Sequence, residues 1–236
     1  MIGEEMDPKD SVIVETQPMM GSTPNSINTS VKVLESEWVL RFYPLMFSGP
    51  DELLVTMKQW VASHPHKILS EMHLDPLSPP FLISVTRFLN DRPLQFLLQE
   101  CFEKKVEIEK INYKGSNVLH WIMGTSIQIS EWSLFQKMVD HGFPVAAPDP
   151  TEESLCSAAM LALSKSKVEG FKFCIAAYTD QEWEKELPLF KKKIEDRNRP
   201  SSWKNRYADI IAKEEARRLA RAIVDQGSSL LLRRRF

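Results

Sequence analysis

Glycine is scarce, with eight in 236 residues. No GxGxxG and no Walker A loop occurs, so the chain lacks the common signatures of phosphate cradling. GxSxG and HExxH are absent as well, which removes the usual hydrolase and zincin signatures. Cysteine is sparse and odd in number. Cys101, Cys156 and Cys174 are far apart and form no CxxC, which argues against a disulfide scaffold and for a reducing compartment. All three fall in apolar helical patterns and read as small buried hydrophobes. No apolar run approaches a membrane span, so no transmembrane segment is expected. The opening "MIGEEMDPKD" is acidic and has no hydrophobic region, so no secretory signal peptide is expected. Alternating strand patterns are nearly absent.

What the chain does have is apolar material and divided charge. Apolar residues make up 43%, enough for a sizeable core. The net charge of −2 conceals an asymmetry. Residues 191–236 carry 14 Lys+Arg and 6 Asp+Glu, a balance of +8, and the rest carries 16 and 26, a balance of −10. The basic segment reads as a solvated helix face, or as a surface that meets acidic partners, lipid headgroups or phosphates. The aromatic interleaving of single-strand binders is missing, so no nucleic-acid partner is expected.

Residues 1–34, with "TQPMMGSTPNSINTS", read as a disordered N-terminal tail or as an uncleaved secretion leader. Helical spacing dominates from residue 35. "GPDELLVTMKQWVAS" sets Leu53, Leu54, Met57, Trp60 and Val61 on one stripe, with Ser48 as cap and Pro50 and Asp51 in the first turn. "SPPFLISVTRFL" repeats the pattern with Phe81, Leu82, Val85, Phe88 and Leu89, and "RPLQFLLQECFE" with Leu94, Leu97, Leu98 and Cys101 behind Pro93. In "SEWSLFQKMVDHG", Ser130 is the expected cap, Trp132, Phe135, Met138 and Val139 the stripe, and His141-Gly142 the stop. "ESLCSAAMLALS" and "KVEGFKFCIAAY" give two more helices. A last helix of about 23 residues is expected in "SSWKNRYADIIAKEEARRLARAIVDQGSS". Ser201 or Ser202 would cap it and Gly227 would stop it. Ala208, Ala212, Ala216, Leu219, Ala220 and Ile223 form its packing face, and Arg217, Arg218 and Arg221 lie on the other side.

These helices are too short to stand alone in water, so each must lean on neighbours. They come in pairs at a steady interval. Leu82, Leu119 and Leu155 are 37 and then 36 residues apart. In "NYKGSNVLHWIMG" the chain resembles the ankyrin-repeat family, whose opening motif is roughly D-x-x-G-x-T-P-L-H-x-A. Asn112, Gly115, Asn117 and Val118 stand at the Asp, Gly, Thr and Pro places, Leu119 and His120 match, and Ile122 takes the Ala place. "MVDHGFPVAA" is similar to the family's second-helix ending, with Gly142 and Val145 at the Gly and Val places. The unit after it keeps Leu155, Ala158 and Ala159 but has Cys156 at the His place, and the unit before it keeps Leu82 and Asn112. The family period is roughly 33 residues.

The resemblance implies an all-α, helical-hairpin solenoid of ankyrin-like repeats with helical caps. Residues 1–34 are the tail or leader, 35–76 an N-terminal helical cap, 77–180 three repeats, 181–228 a C-terminal helical cap and 229–236 a basic tail. It implies structural roles for Gly115, Asn117, Leu119, His120 and Gly142. It also implies protein binding through the concave face, at Tyr113, Lys114, Ser116 and Trp121, with Trp121 either a binding anchor or core filler of the stack. No catalytic residue, metal or cofactor is expected, and "SHPHKILSEMH", with His64, His66, Glu71 and His73, reads as a solvated turn. Two other readings stay open. One is a bacterial or viral effector of the same fold, secreted into a host cytosol without a signal peptide. The other is an enzyme with a cryptic site in a helical fold. The expected place is otherwise the cytoplasm.

Overall fold

The computed structural model describes residues 31–88, 90–150 and 156–233, with Ser48 and 226–233 as backbone alone. Ten α-helices occur among them. The helices α1 (Ser36–Ser48) and α2 (Pro50–Ser63) pack on each other. After a 3₁₀ turn at Leu69–Glu71 come α3 (Phe81–Ser84) and α4 (Arg92–Glu103). A hairpin of β1 (Asn112–Tyr113) and β2 (Ser116–Asn117) leads into α5 (Val118–Gly124). Then follow α6 (Ser133–Asp140), α7 (Ala158–Ser164), α8 (Val168–Ala177), α9 (Asp180–Ile194) and α10 (Ser201–Arg233).

The helices lie in two rows. In one, α3 packs on α5 and α5 on α7. In the other, α2 packs on α4 and α4 on α6, while Trp132 beside α6 stacks on Phe173 of α8 at 4.8 Å. The rows meet through α3 on α4 and α7 on α8. The predicted stripes account for this. Leu53, Met57, Trp60, Leu94, Leu97, Leu98 and Cys101 are fully buried, and Phe135 and Met138 nearly so. Leu54, Trp132 and Val139 sit at the margin.

Helix ends follow a repeated rule. At the end of α6, Gly142 has φ +87°, Phe143 N–H donates to Met138 O at 3.1 Å, and Gly142 N–H donates to Val139 O at 2.8 Å. That is a Schellman closure. Lys105 (φ 53°) closes α4 and Ser166 (φ 62°) closes α7 in the same way. From Lys105 to Gly142 is 37 residues.

Several expectations are corrected. Ser48 ends α1 rather than capping α2, whose N-cap is Gly49. Phe81–Phe88 forms one turn of α-helix and a 3₁₀ turn at Val85–Arg87 rather than a full helix, and Leu89 lies outside the described residues. Ser130 does not cap α6. Its N–H and hydroxyl go to buried Asp91, at 2.7 and 3.0 Å, and Trp132 holds the N-cap position. The expected third unit is shifted by four residues. Ser157 caps α7 through Met160 N–H, so Ala159, not Leu155, occupies the place of Leu119. Cys156 therefore precedes the cap, and Leu155 lies outside the described residues.

The last helix differs most. It runs 33 residues and passes through Gly227, which therefore stops nothing, and Ser201 and Ser202 lie within its first turn. The alanine face expected to pack is exposed, and Tyr207, Ile210, Ile211 and Glu214 are buried instead. Tyr207 meets Phe171 of α8 at 5.4 Å, and larger side chains bury more apolar surface than alanines do. Arg218 is no free surface charge. It pairs with Glu214 at 2.7 Å and Asp180 at 2.6 Å, and it donates to Ile175 O and Tyr178 O at the end of α8. At the other end, Leu34 N–H and His73 N–H bond to His73 O and Lys32 O, so the folded body begins before residue 35. Residues 1–30 of the expected tail or leader and 234–236 of the basic tail lie outside the described residues, and 229–233 continue α10.

Candidate partner-binding site

The sequence places its candidate site at the β1–β2 hairpin and α5. Asn112 pairs with Asn117 and Tyr113 with Ser116, which leaves Lys114 and Gly115 as a two-residue tip. Both tip residues have positive φ, 55° and 87°, as a type I′ turn requires. Gly115 is needed twice over, because a Cβ there would also meet Pro150 Cγ at 2.5 Å.

Asn117 caps α5. Its Oδ1 accepts Leu119 N–H at 3.0 Å and His120 N–H at 3.1 Å. His120 returns the bond, with Nδ1 accepting Asn117 N–H at 3.2 Å. Because Nδ1 accepts, Nε2 carries the proton and donates to Ala147 O at 2.8 Å. Burial holds this imidazole below its ordinary value, with the Ala147 carbonyl and nearby Asp149 pulling weakly the other way. His120 is thus a neutral brace between α5 and the chain returning from α6. Leu119 is buried in the core beside it.

Ser116 is buried and donates to the carboxylate of buried Asp149 at 2.5 Å. It belongs to the brace, and this corrects its place among residues offered to a partner. Tyr113 is half-buried and donates to Leu77 O at 3.0 Å. Lys114 is exposed, its ammonium 5.3 Å from the Tyr113 ring centre. Trp121 is half-buried, with its ring centre 6.0 Å from that of Tyr113. Its Nε1–H is buried and makes no hydrogen bond, and the same holds for the hydroxyl of Thr125. Both residues line a cleft of about 200 Å³, together with Ser116, His120, Asp149 and Lys165. The structure therefore gathers Tyr113, Lys114 and Trp121 on one edge. Sequence reasoning missed Thr125 and Asp149, which carry no motif signal.

The remaining candidates separate. His64 stacks on Trp60 at 4.7 Å and bonds Trp60 O, and His73 bonds Ser78 O at 2.7 Å. Glu71 pairs with Lys32. Among the described residues no group of three or more His, Cys, Asp or Glu side chains could hold a metal ion. Burial raises the Cys101 thiol to about 12 and the Cys174 thiol further, so both stay protonated. Cys156, partly exposed, lines a cleft of about 490 Å³ between α7 and α9 with Glu186, Leu189, Lys192 and Lys193. Lys167 donates to Ile122 O at 2.6 Å and Ile127 O at 2.9 Å, which ties α8 to the end of α5. Among the described residues no helix is long and apolar enough to cross a membrane.

No protein-family model matches the chain, and neither the curated proteins nor the solved structures contain a match.

Proposed function

We propose that the chain is a protein-binding module, an ankyrin-like stack that presents the β1–β2 tip and the start of α5 to a partner protein. The carrying observation is Trp121, half-buried in the lining of a cleft, with its indole N–H buried and unpartnered. A buried donor without an acceptor costs about 1–3 kcal/mol, and an incoming carbonyl or carboxylate recovers that loss. Trp is also the side chain that most often anchors an interface. The rigid support below it favours this role, since a pre-organised surface loses little freedom on binding.

Three features support an ankyrin-like ancestry for the stack. The rows α3–α5–α7 and α2–α4–α6 run side by side. Lys105 and Gly142 close α4 and α6 identically. Asn117 and Ser157 cap α5 and α7 each through the N–H three residues on. The test is a Trp121→Ala, Lys114→Glu double variant, checked for native circular dichroism. It should lose the partners that the parent retains, and full retention would refute the site.

A further inference from the structure

Lys167 is a half-buried cation without an anion. It precedes α8, and its ammonium lies against the turn that follows α5. Two of its three N–H donors go to Ile122 O at 2.6 Å and Ile127 O at 2.9 Å. Carbonyls orient an ammonium but bring no charge to offset it. Burial pulls this ammonium down to about 8, and among the described residues no carboxylate pairs with it. Other cations held partly out of water are paired: Lys104 with Glu100 at 3.1 Å, and Arg218 with Glu214 at 2.7 Å. An unpaired charge away from water is costly, and an incoming anion relieves that cost.

Lys167 lines a cleft of about 460 Å³ between the turn at 124–129 and the start of α8. Small-molecule sites commonly have this size. Ile129, Trp132 and Val168, all half-buried, give it apolar walls. Its charged residues are Lys165, Lys167 and Glu169, and Glu169 pairs with Lys172 at 2.8 Å. Thr125 lines it too, with a hydroxyl that makes no hydrogen bond. Neither Lys114 nor Trp121 does, so binding here does not depend on the partner edge. We propose that this cleft binds a small organic anion, a carboxylate on an apolar body. The carboxylate meets the third N–H of Lys167, and the body lies against Ile129, Trp132 and Val168. Inorganic phosphate suits the cleft less, because it would give up hydration to apolar walls.

NMR titration of the full chain, read at the amides of Ile127, Ile129 and Gly170, tests this. The probes are phenylacetate and 2-naphthoate, each beside its primary amide, and inorganic phosphate. Both carboxylates should bind saturably, 2-naphthoate the tighter because it buries more apolar surface. Each should bind at least about tenfold more tightly than its amide, and Lys167→Met should weaken 2-naphthoate by a similar factor. Val168→Glu replaces that variant if circular dichroism shows it unfolded. An acid suits the first turn of α8 and would repel the carboxylate, with the same weakening expected. The proposal is overturned if neither carboxylate gives a saturable shift, or if amide or phosphate binds as tightly. A folded Lys167→Met, or Val168→Glu in its place, that keeps the parent's affinity would also overturn it.

Discussion

The start of α5 and the junction of α8 with α10 are both held by buried polar groups, but of opposite kinds. At α5 the cap is neutral. Asn117 and His120 satisfy each other across three residues, and the His120–Ala147 and Ser116–Asp149 bonds reach further. At the junction the brace is ionic. Arg218 reaches back across about 40 residues to Ile175, Tyr178 and Asp180, with Glu214 buried beside it. A neutral cap tolerates loss of one bond, because water or a neighbour replaces part of it. A buried charge without its partner has no such remedy. The two regions should therefore fail by different amounts and under different conditions.

The largest effect is expected from Arg218→Met. It leaves Glu214 to Arg217 alone and two carbonyls unpaired, and should cost about 3–5 kcal/mol in urea unfolding. Arg218→Lys should rescue little, since a point charge cannot serve the carboxylates and carbonyls that a fork serves together. A loss no larger than that of a surface arginine would remove the contrast. Next come the two faces of α10. Ile211→Ala should cost about 2–4 kcal/mol and Ile223→Ala no more than about 0.5 in monomeric protein. The reverse order would restore the alanine face as the packing face. Asn117→Ala should then cost about 1 kcal/mol in the same assay, with Asn117→Asp close to the parent.

The smallest effect is a pH dependence at the neutral brace. The folded His120 titrates below its ordinary 6.5, so the unfolded chain takes up the proton first. Its contribution is complete above 6.5 and is lost as pH falls through the folded value. Between pH 7 and pH 5.5 the stability difference between the parent and His120→Gln should shrink, by under about 1.4 kcal/mol for each pH unit. A difference that stays constant would mean the imidazole is not held neutral.

The same contrast explains what was legible in the amino-acid sequence. Asn117, Gly115 and Gly142 act within a few residues of themselves, so their types and spacing announce caps and turns. Buried stripes such as Leu94–Leu97–Leu98–Cys101 are legible for the same reason. The packing face of α10 was not, because the helix carries two apolar faces and only α8 and α9 decide between them. Lys105 and Ser166 close helices without glycine, so no residue type marks them. The Asp91–Ser130 and Glu100–Ser70 bonds join residues 39 and 30 apart, beyond any local pattern. At the candidate site, Trp121 was visible as a residue at a variable place of the motif that the chain resembles. Its unpartnered N–H was not, since that depends on where Thr125 and Asp149 come to lie.

The central claim is that the edge built from Lys114 and Trp121 is where a partner protein binds. The most direct measurement compares the proteins retained from the same lysate by the parent, by Trp121→Ala, Lys114→Glu, and by a Leu219→Glu control. All three should show native circular dichroism. The account predicts partners shared by the parent and the control and missing from the double variant. An unchanged set on the double variant would contradict it.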